Sequence, residues 1–243
     1  MRRFYAPAEN FHDGKVTLDE GETRHLRDVL RLKSGDVVNV FDGVGNEFEC
    51  VIELLAKRHS ELSIRKKVEP MAPESMLDLT VAATVTPGEK FELAIQKSVE
   101  LGVKLFIPIV SLRCEVKQKD AEKRLERWRK IAFEASKQCG RAYLMQLDNV
   151  KTFDQLLVSS WITDSKTTAV FFTERDGDSF DNIAPAKAIT AIYGPKGGWD
   201  DKEIAAAQAS GATAITFGGR ILRAETAAIA ITAILQHRFG DLK

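Results

Sequence analysis

From residue 76 onward, short apolar runs alternate with helix-patterned stretches, and this alternation restricts the fold more than any other feature of the chain. Residues 77–85, 104–110, 167–172, 188–193 and 212–217 read as buried strands; 88–101, 121–139, 200–209 and 224–239 read as helices. Strands separated by helices join as parallel neighbours, which buries both faces of the sheet under the crossovers. Within 88–101, Phe91, Ala94, Ile95, Ser98 and Leu101 share one face, and Gly102 supplies the stop. Asp200 and Glu203 form a capping-box variant at the head of 200–209. The expected class is α/β with a parallel sheet.

The first 70 residues follow a different rule. Residues 36–41 form a strand run closed by Asp42-Gly43 and Gly45-Asn46 turn chemistry. Phe48, Cys50 and Ile52 then alternate with Glu47, Glu49 and Glu53, which puts one face in a core and the acids in water. Residues 60–68 alternate again with Leu62 and Ile64 inward, 15–18 is another strand candidate, and Leu26, Val29 and Leu30 fit one side of a short helix. Several short strands with one helix suggest a small barrel. Pro70 and Pro73 stop both helix and central strand. The expected domains are therefore 1–72 and 73–243.

Charge narrows the function. The chain balances 35 basic against 35 acidic residues, unlike a strongly basic non-specific nucleic-acid binder. Residues 111–151 nevertheless hold 11 Lys and Arg against 6 Asp and Glu, which suits a polyanion met at one surface. Cys50, Cys114 and Cys139 form no CxxC and suit the reduced thiols of a cytoplasm. The four histidines lie far apart, so no metal is expected. No apolar run approaches the length of a membrane span, and the N-terminus lacks the apolar core of a secretory signal.

Two loops stand out. Tyr193-Gly194-Pro195-Lys196-Gly197-Gly198 leaves a strand and enters a helix, and glycines there let backbone approach a ligand closely. It matches neither GxxxxGK[ST] nor GxGxxG, and a plain connection fits it equally well. Phe217-Gly218-Gly219-Arg220-Ile221-Leu222-Arg223 repeats the arrangement ahead of Ala224-Glu225-Thr226-Ala227. Two such loops at the ends of two strands could clamp one ligand. The helix 224–239 is apolar on nearly every side, which demands either threading through the core or a partner subunit. In the helix 121–139, Lys123, Arg127, Lys130 and Lys137, continued by Arg141, fall almost opposite the apolar stripe of Leu125, Trp128, Ala132 and Ala135. That ridge reads as a phosphate-binding surface or as a solvated helix face. Arg2, Arg3, His25, Arg31 and Lys33, near Phe4 and Tyr5, form a smaller set that suits base stacking and phosphate contact, or a core with a charged rim.

Gly194-Pro-Lys-Gly-Gly198, with Gly218-Gly-Arg-Ile-Leu-Arg-Ala-Glu-Thr226, resembles the GPEGG and LGxRILRxET signatures of the RsmE family, the 16S ribosomal RNA uridine-N3 methyltransferases of the SPOUT superfamily. His25–Asp36 and Phe41-Asp-Gly43 resemble that family's PUA-like N-terminal domain, and residues 89–102 resemble its KxExxIQKxxELG helix. Gln138-Cys-Gly-Arg141 and Arg238-Phe-Gly-Asp241 match as well. The resemblance implies a small PUA-like β-barrel domain followed by a SPOUT domain with a trefoil-knotted parallel sheet. It implies S-adenosylmethionine held by Phe172, Thr173, Tyr193, Gly194, Pro195, Gly197, Gly198, Phe217, Gly218, Ile221, Leu222, Ala224, Thr226 and Ala227. It further implies a homodimer, with 16S ribosomal RNA in the small ribosomal subunit as partner, contacted by the basic residues above and by Lys97. Lys196, Leu112 and Lys137 stand where the family usually carries acids.

Uridine N3 is a poor nucleophile until it loses its proton, so the site must stabilise its anion in line with the methyl donor. Arg223 and Arg113 are candidates for that electrostatic work, with Glu225 as orienting or proton-accepting partner. A related enzyme acting on another RNA, or a catalytically silent ribosome-assembly factor, is the alternative that the three lost acids leave open.

Overall fold

A computed structural model describes residues 2–243. The chain forms two compact units: residues up to Glu74 with Ser136–Leu144, and Ser75–Ala135 with Met145–Lys243.

The first unit is built on one six-stranded sheet, ordered β1 (Arg3–Tyr5), β4 (Val37–Phe41), β5 (Glu47–Leu55), β6 (Ser60–Val68), β3 (Lys15–Leu18), β2 (Phe11–His12). Every pairing is antiparallel except β1 with β4. Phe4, Leu18, Leu26, Val40, Cys50, Ile52 and Leu62 make its core. The expected short helix is α1 (Glu20–Arg24), capped by Asp19, running into a π-helical turn at His25–Val29.

Burial in this unit departs from simple alternation. Glu47, expected in water, is 1% exposed; it accepts hydrogen bonds from Arg3 Nε at 3.0 Å and Asn39 Nδ2 at 2.8 Å. Arg3 also donates to the carbonyls of Ser136 and Arg141 and stacks on Phe41, 3.9 Å from the ring centroid. Lys137 meets Glu22 at 2.6 Å, and Arg141 makes a two-point contact with Glu74 at 3.0 and 2.7 Å. These ion pairs, with the bond from Leu144 N–H to Gly43 O, explain why 136–144 groups with the first unit although periodicity placed it in the second.

The second unit contains a wholly parallel sheet. Its main path is β10 (Lys151–Thr152), β8 (Leu105–Val110), β7 (Asp78–Thr84), β13 (Ala188–Tyr193), β11 (Thr168–Thr173), β14 (Thr213–Thr216), β12 (Asp178–Ser179), with β9 (Gln146–Leu147) also on β8. The helices are α2 (Glu89–Glu100), α3 (Gln118–Glu122), α4 (Leu125–Cys139), α5 (Phe153–Leu157), α6 (Ser160–Thr163), α7 (Asp201–Ala209) and α8 (Ala224–Phe239). The single helix expected over 121–139 is two, separated at Lys123-Arg124. Apolar strands covered on both faces need no alternation, which is why they appear in sequence as continuous runs. β13 lies between β7 and β11, so a strand later in the chain is inserted between two earlier ones. No helix among the described residues is long and apolar enough to cross a membrane.

The Arg3–Glu47 pair supports the first unit's sheet, because both side chains are almost fully buried. Arg3→Ala strands the Glu47 carboxylate inside the protein, at a cost of about 3–5 kcal/mol. Urea unfolding followed by circular dichroism should show a lower midpoint, with a loss of unfolding free energy of that size on extrapolation to water. An unchanged midpoint would mean that Asn39 alone satisfies Glu47.

Candidate active site

Parallel strands deliver their following loops to one edge of the sheet. Here β11, β13 and β14 lie side by side, and the segments after Thr173, Tyr193 and Thr216 enclose a cavity of about 230 Å³ against the start of α8. Backbone of the glycine loops and the side chains of Phe172, Tyr193, Leu222, Ala227 and Ile231 give it an apolar interior. The Phe172 and Tyr193 rings stack at 5.3 Å with 10° between their planes. Burial pushes the Tyr193 hydroxyl pKa up against the opposing effect of its 3.0 Å hydrogen bond with Thr232 Oγ1, so the phenol stays neutral.

Trp199 fixes the loop after β13. Its indole Nε1 donates to Phe172 O at 2.9 Å, and the ring packs on Phe171 and Phe153. Gly194 is required here for space: a Cβ would lie 2.7 Å from Trp199 Nε1. Gly198 is required by its backbone, whose φ is +71°, and the Glu174 carboxylate lies close to it. The Asp200–Glu203 capping box is present, and buried Glu203 also accepts from Leu112 N–H at 2.8 Å. α7 thereby anchors both the 194–199 loop and the 111–113 segment.

Most of the expected cofactor residues converge. Phe172, Thr173, Tyr193, Gly194, Pro195, Gly198, Phe217, Ile221, Leu222, Ala224 and Ala227 line the cavity; Gly197, Gly218 and Thr226 do not. Gly218 instead borders an adjoining groove with Ile234 and Arg238. Of the three candidates for chemistry, Arg223 alone is at the cavity wall. Arg113 lies outside it, 3.2 Å from Asp200 Oδ2 and 3.5 Å from Gly197 O, where it braces the loop. Glu225 lies 3.3 Å from Lys90 Nζ. Burial raises its pKa, but its own backbone N–H, Lys90 and the charge of Arg223 outweigh that and hold the carboxyl below its usual range. That pairing leaves Glu225 a poor proton acceptor. Glu174, Lys196, Trp199, Arg220 and Ile231 also line the cavity; the first, second and fourth fall within the segments 171–174, 193–198 and 217–227 that the family resemblance implies for the cofactor, but none of the five was singled out as a contact. Lys196 and Arg220 sat within motifs read for their glycines and backbone; Glu174 carried no local pattern at all.

The expected RNA-binding residues divide. Arg2, Arg31 and Lys33 are exposed on the first unit, and His25 is half-buried against Phe4. Arg3, Lys137 and Arg141 are consumed by the internal ion pairs described above, so the basic ridge loses its last two members. On the second unit Lys123 and Arg127 are exposed but paired with Asp120 and Glu92, Lys97 is paired with Glu100, and Lys130 is exposed.

An RNA methyltransferase domain model matches residues 73–236, and an RNA methyltransferase PUA domain model matches 18–65. The ribosomal RNA small subunit methyltransferase E of Synechocystis sp. is 31% identical over 93% of this chain and 74% of its own length. The Bacillus subtilis protein of the same name is 31% identical over 88% of this chain and 86% of its own. The chain belongs to this family of RNA methyltransferases. The crystal structure of the Neisseria gonorrhoeae family member, bound to S-adenosylmethionine, superposes with a TM-score of 0.89 at 33% identity, covering 100% of both chains. The fold is thus the SPOUT α/β fold of the family, preceded by its PUA domain.

The loop geometry generates a direct test. Trp199→Phe keeps the ring but leaves Phe172 O without its donor, at a cost of about 1–3 kcal/mol. Thermal unfolding should register that loss. Gly194→Ala should abolish ligand binding at the cavity in calorimetry while the protein remains folded; retained affinity would show that Trp199 can move aside.

Proposed function

We propose that this chain methylates N3 of a uridine in 16S ribosomal RNA, using S-adenosylmethionine bound in the cavity between the β11, β13 and β14 loops. The observation that carries the reading is the convergence of these three loops and the start of α8 on one apolar-lined cavity, in a chain of this family. Gly194, whose Cβ position is taken by the Trp199 ring, and Gly198, with a positive φ, fix the course of the loop backbone along the cavity. The uncapped start of α8 adds free N–H groups at the cavity wall. These features fit an adenosine-containing cofactor with a charged amino-acid tail. When bound, S-adenosylmethionine supplies a methyl group already activated by its sulfonium.

The protein's part is positioning and electrostatics. Uracil N3 must give up its proton before it can attack, and the negative charge then spreads over the flanking carbonyl oxygens. Arg223, exposed at the cavity wall and with a guanidinium that makes no ion pair or hydrogen bond among the described residues, stabilises that charge. Arg113 acts through the loop it braces. Arg2, Arg31, Lys33 and Lys130 supply phosphate contacts within the small ribosomal subunit.

The homodimer reading draws on α8. Ala228, Ile231 and Leu235 are buried, whereas Ile229, Ala230, Ala233 and Ile234 remain half-exposed in the single chain. A second copy would cover that face. The interleaving of β13 between β7 and β11 supports the trefoil-knotted connection of the family. Free buried and half-buried thiols suit a cytoplasmic location.

Incubation with methyl-labelled S-adenosylmethionine and small ribosomal subunits lacking the modification should place the label in 3-methyluridine on nucleoside analysis. Arg223→Ala should lower kcat by about 100- to 1,000-fold, the usual effect of removing one preorganised donor to a developing oxyanion. Label in another nucleoside, or none, would refute the assignment.

A further inference from the structure

Among the described residues, Glu174 is the one acidic side chain on the cavity wall, beside three cationic ones, Lys196, Arg220 and Arg223. It follows directly on Thr173, the last residue of β11, at the edge where parallel sheets of this kind bind ligands. Its carboxylate lies over Gly198: a Cβ at that glycine would stand 2.9 Å from Oε1, 3.6 Å from Cδ and 4.0 Å from Oε2. The carboxylate thus stands directly beside the Gly198 turn of the loop after β13. Despite three neighbouring cations, the Glu174 side chain makes no ion pair or hydrogen bond among the described residues. Lys196 points instead to Glu115, 3.5 Å away. Glu174 is exposed at the cavity wall, so both of its carboxylate oxygens are free to accept from a ligand.

We infer that Glu174 is the residue that grips the ribose of the cofactor, its two carboxylate oxygens accepting hydrogen bonds from the vicinal 2′- and 3′-hydroxyls. This rests on the cofactor reading above and assigns one of its contacts. The chemistry favours the diol. The cofactor's own carboxylate calls for a cation, and an adenine edge can be matched by backbone N–H and C=O groups. The ribose offers two adjacent O–H donors, which match two free oxygens of one carboxylate. A carboxylate at the end of a parallel strand, beside a glycine loop, performs the same task for nucleotide riboses on other doubly wound sheets. The other donor that could take Glu174 is the ammonium of the amino-acid tail, and ligands lacking that tail separate the two.

Isothermal titration of the full chain with S-adenosylhomocysteine, with 5′-methylthioadenosine (no amino-acid tail) and with 2′,3′-dideoxy-5′-methylthioadenosine makes the test. Glu174→Ala should weaken the first two ligands by the same factor, about 10- to 100-fold for the loss of charge-assisted bonds. The wild type should discriminate against the dideoxy ligand, and Glu174→Ala should not. Glu174→Gln, which keeps the shape and one acceptor oxygen, should fall between. Weakening confined to S-adenosylhomocysteine would overturn the proposal and move Glu174 to the ammonium. Unchanged affinities with a lowered kcat would overturn it in favour of proton acceptance. If the wild type bound none of the three, the cofactor reading itself would fall and take the ribose assignment with it.

Discussion

The hydrogen bond from the Trp199 indole to Phe172 O holds the site together. Phe172 belongs to β11 and Trp199 to the loop after β13, so one 2.9 Å contact locks two of the three cavity-forming segments into register. The bond works because the indole is buried among Phe153 and Phe171, where a loose polar group would be costly and a satisfied one is rigid. It also dictates composition: the ring sits where a side chain at 194 would be, so glycine there follows from tryptophan at 199. The capping box of α7 then fixes the loop's far end. A cavity that must present backbone groups to a ligand gains from having its backbone immobilised before the ligand arrives.

The second unit was largely legible in the sequence because a parallel sheet buried on both faces leaves continuous apolar runs, and these survive as a signal without any tertiary information. The alternation of strand and helix also announced the edge at which the loops would gather. What was not legible was strand order. Nothing in the local pattern of residues 188–193 says that they insert between β7 and β11, since neighbouring strands there are equally apolar. The break between α3 and α4 escaped for the converse reason: the helical period of the basic and apolar positions carries across Lys123 and Arg124 unchanged.

Charged residues were the harder part. Arg3, Lys137 and Arg141 looked like surface cations because their partners, Glu47, Glu22 and Glu74, lie 44, 115 and 67 positions away. A buried ion pair is invisible in a linear reading, where each member resembles an ordinary solvated charge. Glu47 was doubly hidden, because it occupies a strand position whose parity assigned it to water. The same difficulty concealed Glu174. Its significance comes from Gly198, 24 residues later, and from the absence of a cation at salt-bridge distance, neither of which is a property of its own neighbourhood. Glu225 misled in the opposite direction: a carboxylate inside a recognisable motif proved to face Lys90 rather than the cavity.

These exchanges explain how a chain with no net charge can still meet a polyanion. Neutrality over the whole sequence conceals two populations, one spent internally and one left outside. Around the cavity the second population dominates: Lys196, Arg220 and Arg223 against Glu174 alone. If the cofactor's ribose occupies that carboxylate by hydrogen bonding, the acid still carries its charge but is shielded from the mouth. The rim then presents a net positive field to an incoming phosphate backbone. The same field favours loss of the proton from uracil N3, because an anion beside three cations is stabilised relative to its neutral form. One set of basic side chains at the rim would thus recruit the RNA and activate the base. Removing acids from the signature positions 112, 137 and 196 affects these tasks unequally. Lys196 reinforces the rim, Leu112 contributes a backbone N–H to Glu203, and Lys137 is absorbed into the first unit's interior.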